Sequence, residues 1–158
     1  MAILGLDIGT TGCKATVFSS GGAILSYAYE EYPIESPRAG WFELDPEKVW
    51  KAAARVIQKA NRESAETVES ICTSSLGEAF VCLDAHGSAL CGSMLYLDER
   101  GQQESEWIVE TLGDARILQS TGHAPSSMYS LPKLLWLKKH RPEDYQKTRW
   151  LHFFGDYI

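Results

Sequence analysis

Long apolar runs are missing from this sequence. None approaches the ~18 residues that a membrane-spanning helix needs. The apolar start from Met1 to Leu6 lacks the basic flank of a secretory signal and meets Asp7 at once. Those two absences point to a cytoplasmic product and away from a membrane partner. Cysteine is scarce: Cys13, Cys72, Cys82 and Cys91 form no C-x-x-C pair and are too few for a disulfide framework, so free thiols are expected. His86, His123, His140 and His152 are scattered, with no H-x-x-x-H spacing and no His/Cys cluster, so no structural metal is expected. Basic residues are outnumbered, 15 Lys and Arg against 21 Asp and Glu, for a net charge of −6. Such a field repels a phosphate backbone, which argues against nucleic acid as a partner. Internal repeats, low-complexity tracts and flexible linkers are also absent.

What remains is the composition of an ordinary globular domain: 158 residues, 44% hydrophobic, 11% aromatic and 23% charged. The N-terminal third reads as a three-stranded antiparallel meander over Ile3 to Gly9, Lys14 to Ser19 and Ala23 to Tyr32. Its turns are marked by Gly9-Thr10-Thr11-Gly12 and Gly21-Gly22. Alternation puts Leu4, Leu6 and Ile8 on one face of the first strand and Ile3, Gly5 and Asp7 on the other. Asp45 as N-cap, Pro46 in the first turn and the spacing of Val49, Ala53, Val56, Ile57 and Ala60 predict a helix to about Arg62. Further strands are expected at Ser70 to Ser74, Ala79 to Leu83 and Met94 to Leu97. Helices are expected at Gln102 to Leu112 and at Ser130 to His140, the latter opened by Ser130 and stopped by Pro142. The stretch from Trp150 to Ile158 reads as a strand entering another element, so the pattern is expected to continue past Ile158.

Three polar groups interrupt this apolar framework. Between two strands, the turn after Asp7 aims successive backbone N–H groups into one concavity suited to phosphate oxygens. Thr10 and Thr11 add hydroxyls, Lys14 a cation, and Asp7 a carboxylate able to hold a hydrated Mg²⁺. A plain hairpin with glycines in its turn is the alternative. No G-K-[ST] follows, and the next element is a strand, so this is no Walker A loop. The second group, Ser74 to Phe80, carries Glu78 beside Gly77, either as acceptor for a polyol's hydroxyls or as an exposed turn residue. The third, Tyr96-Leu97-Asp98-Glu99-Arg100, places Asp98 either as a helix cap or in a structural pair with Arg100. Trp136, Tyr145, Trp150, Phe153 and Phe154 read as core packing ahead of a carbohydrate platform, and Trp41 and Phe42 as exposed.

Taken in order, these pieces resemble the start of the FGGY carbohydrate kinases, of the xylulokinase and gluconokinase kind. The resemblance rests on the Asp7 to Thr11 hairpin, Gly40-Trp41-Phe42-Glu43 before the Asp45-Pro46 cap, and Val81 to Asp84 leading into a Gly turn. It continues through Leu97 to Arg100, Thr121-Gly122, Leu131 to Leu137 and Asp156-Tyr157-Ile158.

The resemblance implies an α/β, ribonuclease H-like domain of the actin and hexokinase type, with an initial antiparallel meander and flanking helices. Residues 1–158 would be the N-terminal part of the sugar-binding domain, with the rest of it and an ATP-binding domain outside this chain. It implies transfer of the ATP γ-phosphoryl to a sugar or polyol. Asp7 would lie at Mg²⁺, with Gly9, Thr10, Thr11 and Lys14 at the ATP phosphates. Gly77, Glu78, Tyr96, Asp98 and Arg100 would lie near the sugar. The general base lies in a later segment, so this chain alone is expected to be inactive; a homodimer stays open. At the sugar loop, xylulose-specific members carry Gln-Met-His-Gly and glycerol-specific ones Gln-Arg-Glu, where this chain has Leu76-Gly77-Glu78-Ala79. A nucleotide-driven chaperone or scaffold of the same superfamily would share the hairpin but not the matches at Leu97 to Arg100 and Leu131 to Leu137. A stand-alone binding module is the remaining reading.

Overall fold

The computed structural model describes residues 1–158. Strands β1 (Ala2–Ile8), β2 (Gly12–Ser19) and β3 (Ile24–Glu31) form the expected antiparallel meander. Helix α1 (Pro46–Glu63) crosses over to β5 (Val68–Ser75), which pairs parallel to β1 and completes a mixed sheet of order β3-β2-β1-β5. Between β3 and α1 lies β4 (Glu43–Leu44).

Burial along β1 follows the pleat. Ala2, Leu4, Leu6 and Ile8 are enclosed, while Ile3 and Asp7 face solvent. The enclosed face packs with Val17 and Ala28 against the apolar stripe Val49, Ala53, Val56 and Ala60 of α1. Asp45 caps this helix as expected, its Oδ1 accepting from the N–H groups of Glu47 at 2.9 Å and Lys48 at 3.3 Å. Asp45→Ala is therefore expected to cost about 1 kcal/mol, read as a lower urea midpoint with an unchanged m-value.

The rest of the chain packs onto the same core, which also takes in Val81, Leu83, Leu95 and Phe154. Here β6 (Phe80–Leu83) pairs with β8 (Trp150–Phe153), and β4 pairs with β7 (Ser93–Met94). Helices α2 (Gln102–Leu112) and α4 (Ser130–His140) keep their expected bounds. Three helices were not expected: α3 (Asp114–Thr121), α5 (Pro142–Lys147) and α6 (Phe154–Tyr157). Pro142 does end α4, and it also occupies the first turn of α5, where a missing N–H costs nothing. The strand expected at Met94 to Leu97 is shorter, because the chain turns at once to donate Asp98 N–H to Leu95 O at 3.0 Å. Of the five aromatics read as core, Phe154 alone is fully enclosed; Trp150 and Phe153 are exposed, and Trp136 and Tyr145 are half-buried. No helix is long and apolar enough to cross a membrane.

Candidate functional site

The parallel pair β1 and β5 ends at one edge of the sheet, where Leu76 N–H donates to Ile8 O at 2.8 Å. The Gly9 to Thr11 turn and the Gly77-Glu78 loop therefore leave the sheet side by side. Carboxyl ends of parallel strands are where α/β proteins seat ligands, because the loops there diverge and leave a crevice.

On the first wall, Asp7 pairs across the hairpin with Lys14, whose Nζ lies 3.6 Å from Asp7 Oδ2. Both side chains are about half exposed; a pair this open contributes little stability, and both charges stay available to a ligand. No group of the protein accepts the N–H of Thr10 or Thr11. Close packing at Gly12 keeps this turn tight, for a Cβ there would sit 2.7 Å from Glu30 O and 2.8 Å from Tyr29 Oη. The structure thus brings Asp7, Gly9, Thr10, Thr11 and Lys14 together. No three His, Cys, Asp or Glu side chains converge into a cage for a metal. One open carboxylate beside free N–H groups suits instead a hydrated Mg²⁺ arriving on a polyphosphate, which needs few protein ligands.

Glu78, on the neighbouring loop, is half-buried and not an exposed turn residue. Its backbone is left-handed, φ 54°, an unusual conformation for a residue with a side chain, of the kind that clusters at functional sites. Oε2 accepts from Ser130 N–H at 2.7 Å and from Ser130 Oγ–H at 2.9 Å. Ser130 opens α4 as expected, as its first helical residue and not as its cap. Tyr129 holds the cap position without a side-chain bond, and the first turn of α4 is served by a carboxylate 52 residues away. Glu78 also lines a cavity of about 360 Å³ with Thr121, His123, Tyr129, Ser130 and Phe153. Beside it, Gly77 is exposed, with nothing within 4 Å of where a Cβ would lie.

Asp98 and Arg100 are enclosed, 2% and 4% exposed, and neither lines that cavity. Asp98 Oδ1 accepts from Arg100 N–H at 2.9 Å and Nε–H at 2.8 Å. Oδ2 accepts from Arg100 Nη2 at 2.6 Å and from Phe42 N–H at 2.7 Å. The carboxylate is saturated, so of its two sequence readings the structural pair is the one present. It does not cap α2, whose N-cap position is Gly101 at φ 89°. Burial alone would lower the Arg100 pKa, but hydrogen bonds to Asp98 and Glu43 hold it above the ordinary value. The guanidinium carbon lies 4.1 Å from the ring centre of Trp41 and 5.2 Å from that of Trp136. Trp41 and Phe42, expected to be exposed, are half-buried for this reason. Tyr96 remains exposed.

Lys133 escaped sequence analysis, although a lysine inside the apolar run Leu131 to Leu137 was its signal. It is fully enclosed, and its Nζ donates to Ser127 O at 2.6 Å and Asp98 O at 3.2 Å. Burial lowers its pKa to about 8. The ammonium ties the Asp98 turn to the loop that leads into Ser130.

The FGGY family of carbohydrate kinases, N-terminal domain, matches residues 2–158. A glycerol kinase of Gloeobacter violaceus is 32% identical over 145 residues, which is 89% of this chain and 28% of that protein. A xylulose kinase of Staphylococcus xylosus is 29% identical, covering 99% of this chain and 32% of that protein. Among solved structures, a xylulose kinase from Rhodospirillum rubrum superposes with a TM-score of 0.95 at 27% identity, over all of this chain and 33% of that one. The chain therefore spans about a third of the length of the relatives it matches, and its α/β fold is theirs.

Proposed function

We propose a function from one premise: this chain belongs to the FGGY family of carbohydrate kinases. Residues 1–158 are the N-terminal part of the sugar-binding domain of a cytoplasmic kinase that moves the γ-phosphoryl of ATP to a hydroxyl of a sugar or polyol. The observation that carries this reading is the shared strand edge. Free Thr10 and Thr11 N–H groups and the Asp7 carboxylate stand at the end of β1, and the loop that carries Glu78 leaves the paired end of β5 beside it.

Phosphoryl transfer asks little covalent help of a protein; it asks for alignment and for charge neutralisation as the bond to the leaving oxygen breaks. Thr10 and Thr11 donate N–H and hydroxyl groups to phosphate oxygens, and Lys14 adds positive charge. Asp7 takes a water or a coordination place on Mg²⁺, which when bound neutralises phosphate charge. Glu78 accepts from substrate hydroxyls through Oε1, while Oε2 stays with Ser130. Asp98 and Arg100, assigned to the sugar by resemblance, act from beneath, through Lys133 and the loop it anchors.

Substrate size follows from Gly77. Where glycerol-specific relatives carry an arginine, glycine leaves open space and removes a multi-donor group. A five- or six-carbon ketose, sugar acid or pentitol fills that space better than glycerol. A panel of sugars and polyols assayed with the complete kinase tests this, and glycerol emerging with the highest kcat/KM overturns it. With the preferred substrate, Glu78→Ala is expected to raise KM roughly tenfold to a hundredfold, the worth of one charged hydrogen bond. Glu78→Gln, which still offers Ser130 an acceptor, separates that loss from damage to α4.

A further inference from the structure

Tyr32, at the end of β3, is the one residue that holds both halves of the Gly9 to Gly12 turn. Its phenol is 6% exposed and belongs to the main core cluster, yet its hydroxyl reaches out of that core and donates to Gly9 O at 2.6 Å. Its backbone N–H donates to Thr11 O at 3.2 Å. Gly9 in turn donates its own N–H to Gly12 O at 2.9 Å. Burial raises the phenol's pKa above its ordinary value, so the hydroxyl keeps its proton and acts as a donor throughout the physiological range.

The direction of these bonds matters more than their number. In a trans peptide the C=O of one residue and the N–H of the next point opposite ways, and this chain has no cis peptide. A Gly9 carbonyl drawn towards Tyr32 therefore turns the Thr10 N–H away from the core. That N–H is one of the two left without an acceptor. Without the hydroxyl, the Gly9 carbonyl is free to swing, and glycine offers little steric resistance to the swing.

We propose that Tyr32 is a positioning residue for phosphate recognition, its hydroxyl fixing the peptide plane that presents Thr10 N–H to a phosphate oxygen. The inference rests on the phosphate role assigned to the Asp7 to Thr11 turn. Tyr32 touches no ligand; it acts through the Gly9 carbonyl from behind the turn. The ring fills the core, while the hydroxyl serves the turn. Tyr32→Phe separates the two.

The test is amide NMR on this chain, with Mg²⁺ and pyrophosphate as the probe. Without ligand, Tyr32→Phe is expected to move the Gly9 carbonyl carbon and Thr10 amide nitrogen resonances, leaving the amides of Leu4 and Val17 in place. Tyr27→Phe, which removes an exposed hydroxyl on β3 opposite Thr16 and away from the turn, is the control and should move neither. On titration, the wild-type Thr10 and Thr11 amides should respond, and Tyr32→Phe should weaken that response about fivefold, the worth of one neutral hydrogen bond. Equal responses from wild type and Tyr32→Phe overturn the positioning role while sparing the phosphate reading. A wild-type turn that ignores the probe takes down the phosphate reading and this role with it, even where the ligand-free shifts show the hydroxyl holding Gly9. Should Tyr32→Phe not fold, the wild-type Tyr32 hydroxyl proton supplies the readout. Held by Gly9, it exchanges slowly and is expected to shift on pyrophosphate addition; an unmoved resonance counts against the proposal.

Discussion

Asp7→Asn in the complete kinase is expected to lower kcat about a hundredfold, in the range seen when one preorganised electrostatic contact to a transition state is removed. KM for the sugar should stay within about twofold, because a contact made only as charge develops affects kcat and not ground-state binding. The amide keeps the size of the carboxylate and removes its charge. Its cross-strand neighbour Lys14, 3.6 Å away, then faces the phosphates without a counter-charge. Steady-state kinetics with ATP and sugar varied separately measure the effect. A normal kcat with lost sugar affinity would move Asp7 from the phosphate wall to the sugar wall.

The second large effect concerns stability. Asp98→Ala is expected to destabilise the protein by about 3–5 kcal/mol, the cost of breaking a buried ion pair by removing one partner. Arg100 keeps Glu43, 2.6 Å from its Nη1, but loses the acceptor of its Nε–H and Nη2, and Phe42 N–H loses its only partner. For a domain of this size the melting temperature should fall by roughly 10 °C, measured by circular dichroism. An unchanged melting temperature would mean that the pair is dispensable to the fold. Kinetics of the surviving folded fraction then separate support from substrate contact: a supporting role predicts activity lost only in proportion to the protein that unfolds, with KM for the sugar unchanged.

Local signals made much of this fold legible in advance. Alternation in β1, the Asp45-Pro46 cap and the apolar spacing of α1 are all properties of adjacent residues, and each gave the right element. The bounds of α2 and α4 were legible for the same reason. Elements defined by distant partners were not. Strand β4 is two residues long, too short for any alternation to register, and β7, equally short, was expected with bounds too far along the chain. Helix α3 is only eight residues long and buries none of them.

The candidate site divides the same way. Asp7 and its turn form a contiguous motif, readable because the nest is made by successive residues. Whether Glu78 was a surface residue or an acceptor depended on Ser130, and whether Asp98 faced a ligand or Arg100 depended on Phe42. Both answers lie across 50 residues or more. Lys133 was hidden by composition, since a lysine in a helix is ordinarily solvated. What encloses it here is a pair of backbone carbonyls, which leave no mark on the sequence.

The packing of Trp41 and Trp136 around Arg100 gives the molecule an optical gauge of its own condition. Their rings meet edge to face at 5.3 Å, and His140 stacks on Trp136 at 4.8 Å. Trp50, Trp107 and Trp150 are exposed and emit from water whether or not the chain is folded. The change in intrinsic fluorescence on unfolding therefore comes chiefly from two indoles, one on the 38–42 loop and one on α4. It reports the docking of that loop against that helix. Far-ultraviolet dichroism, carried by all six helices and the sheet, reports the chain as a whole. Any gap between the two transition curves measures how tightly the docking of that loop is coupled to the rest of the fold.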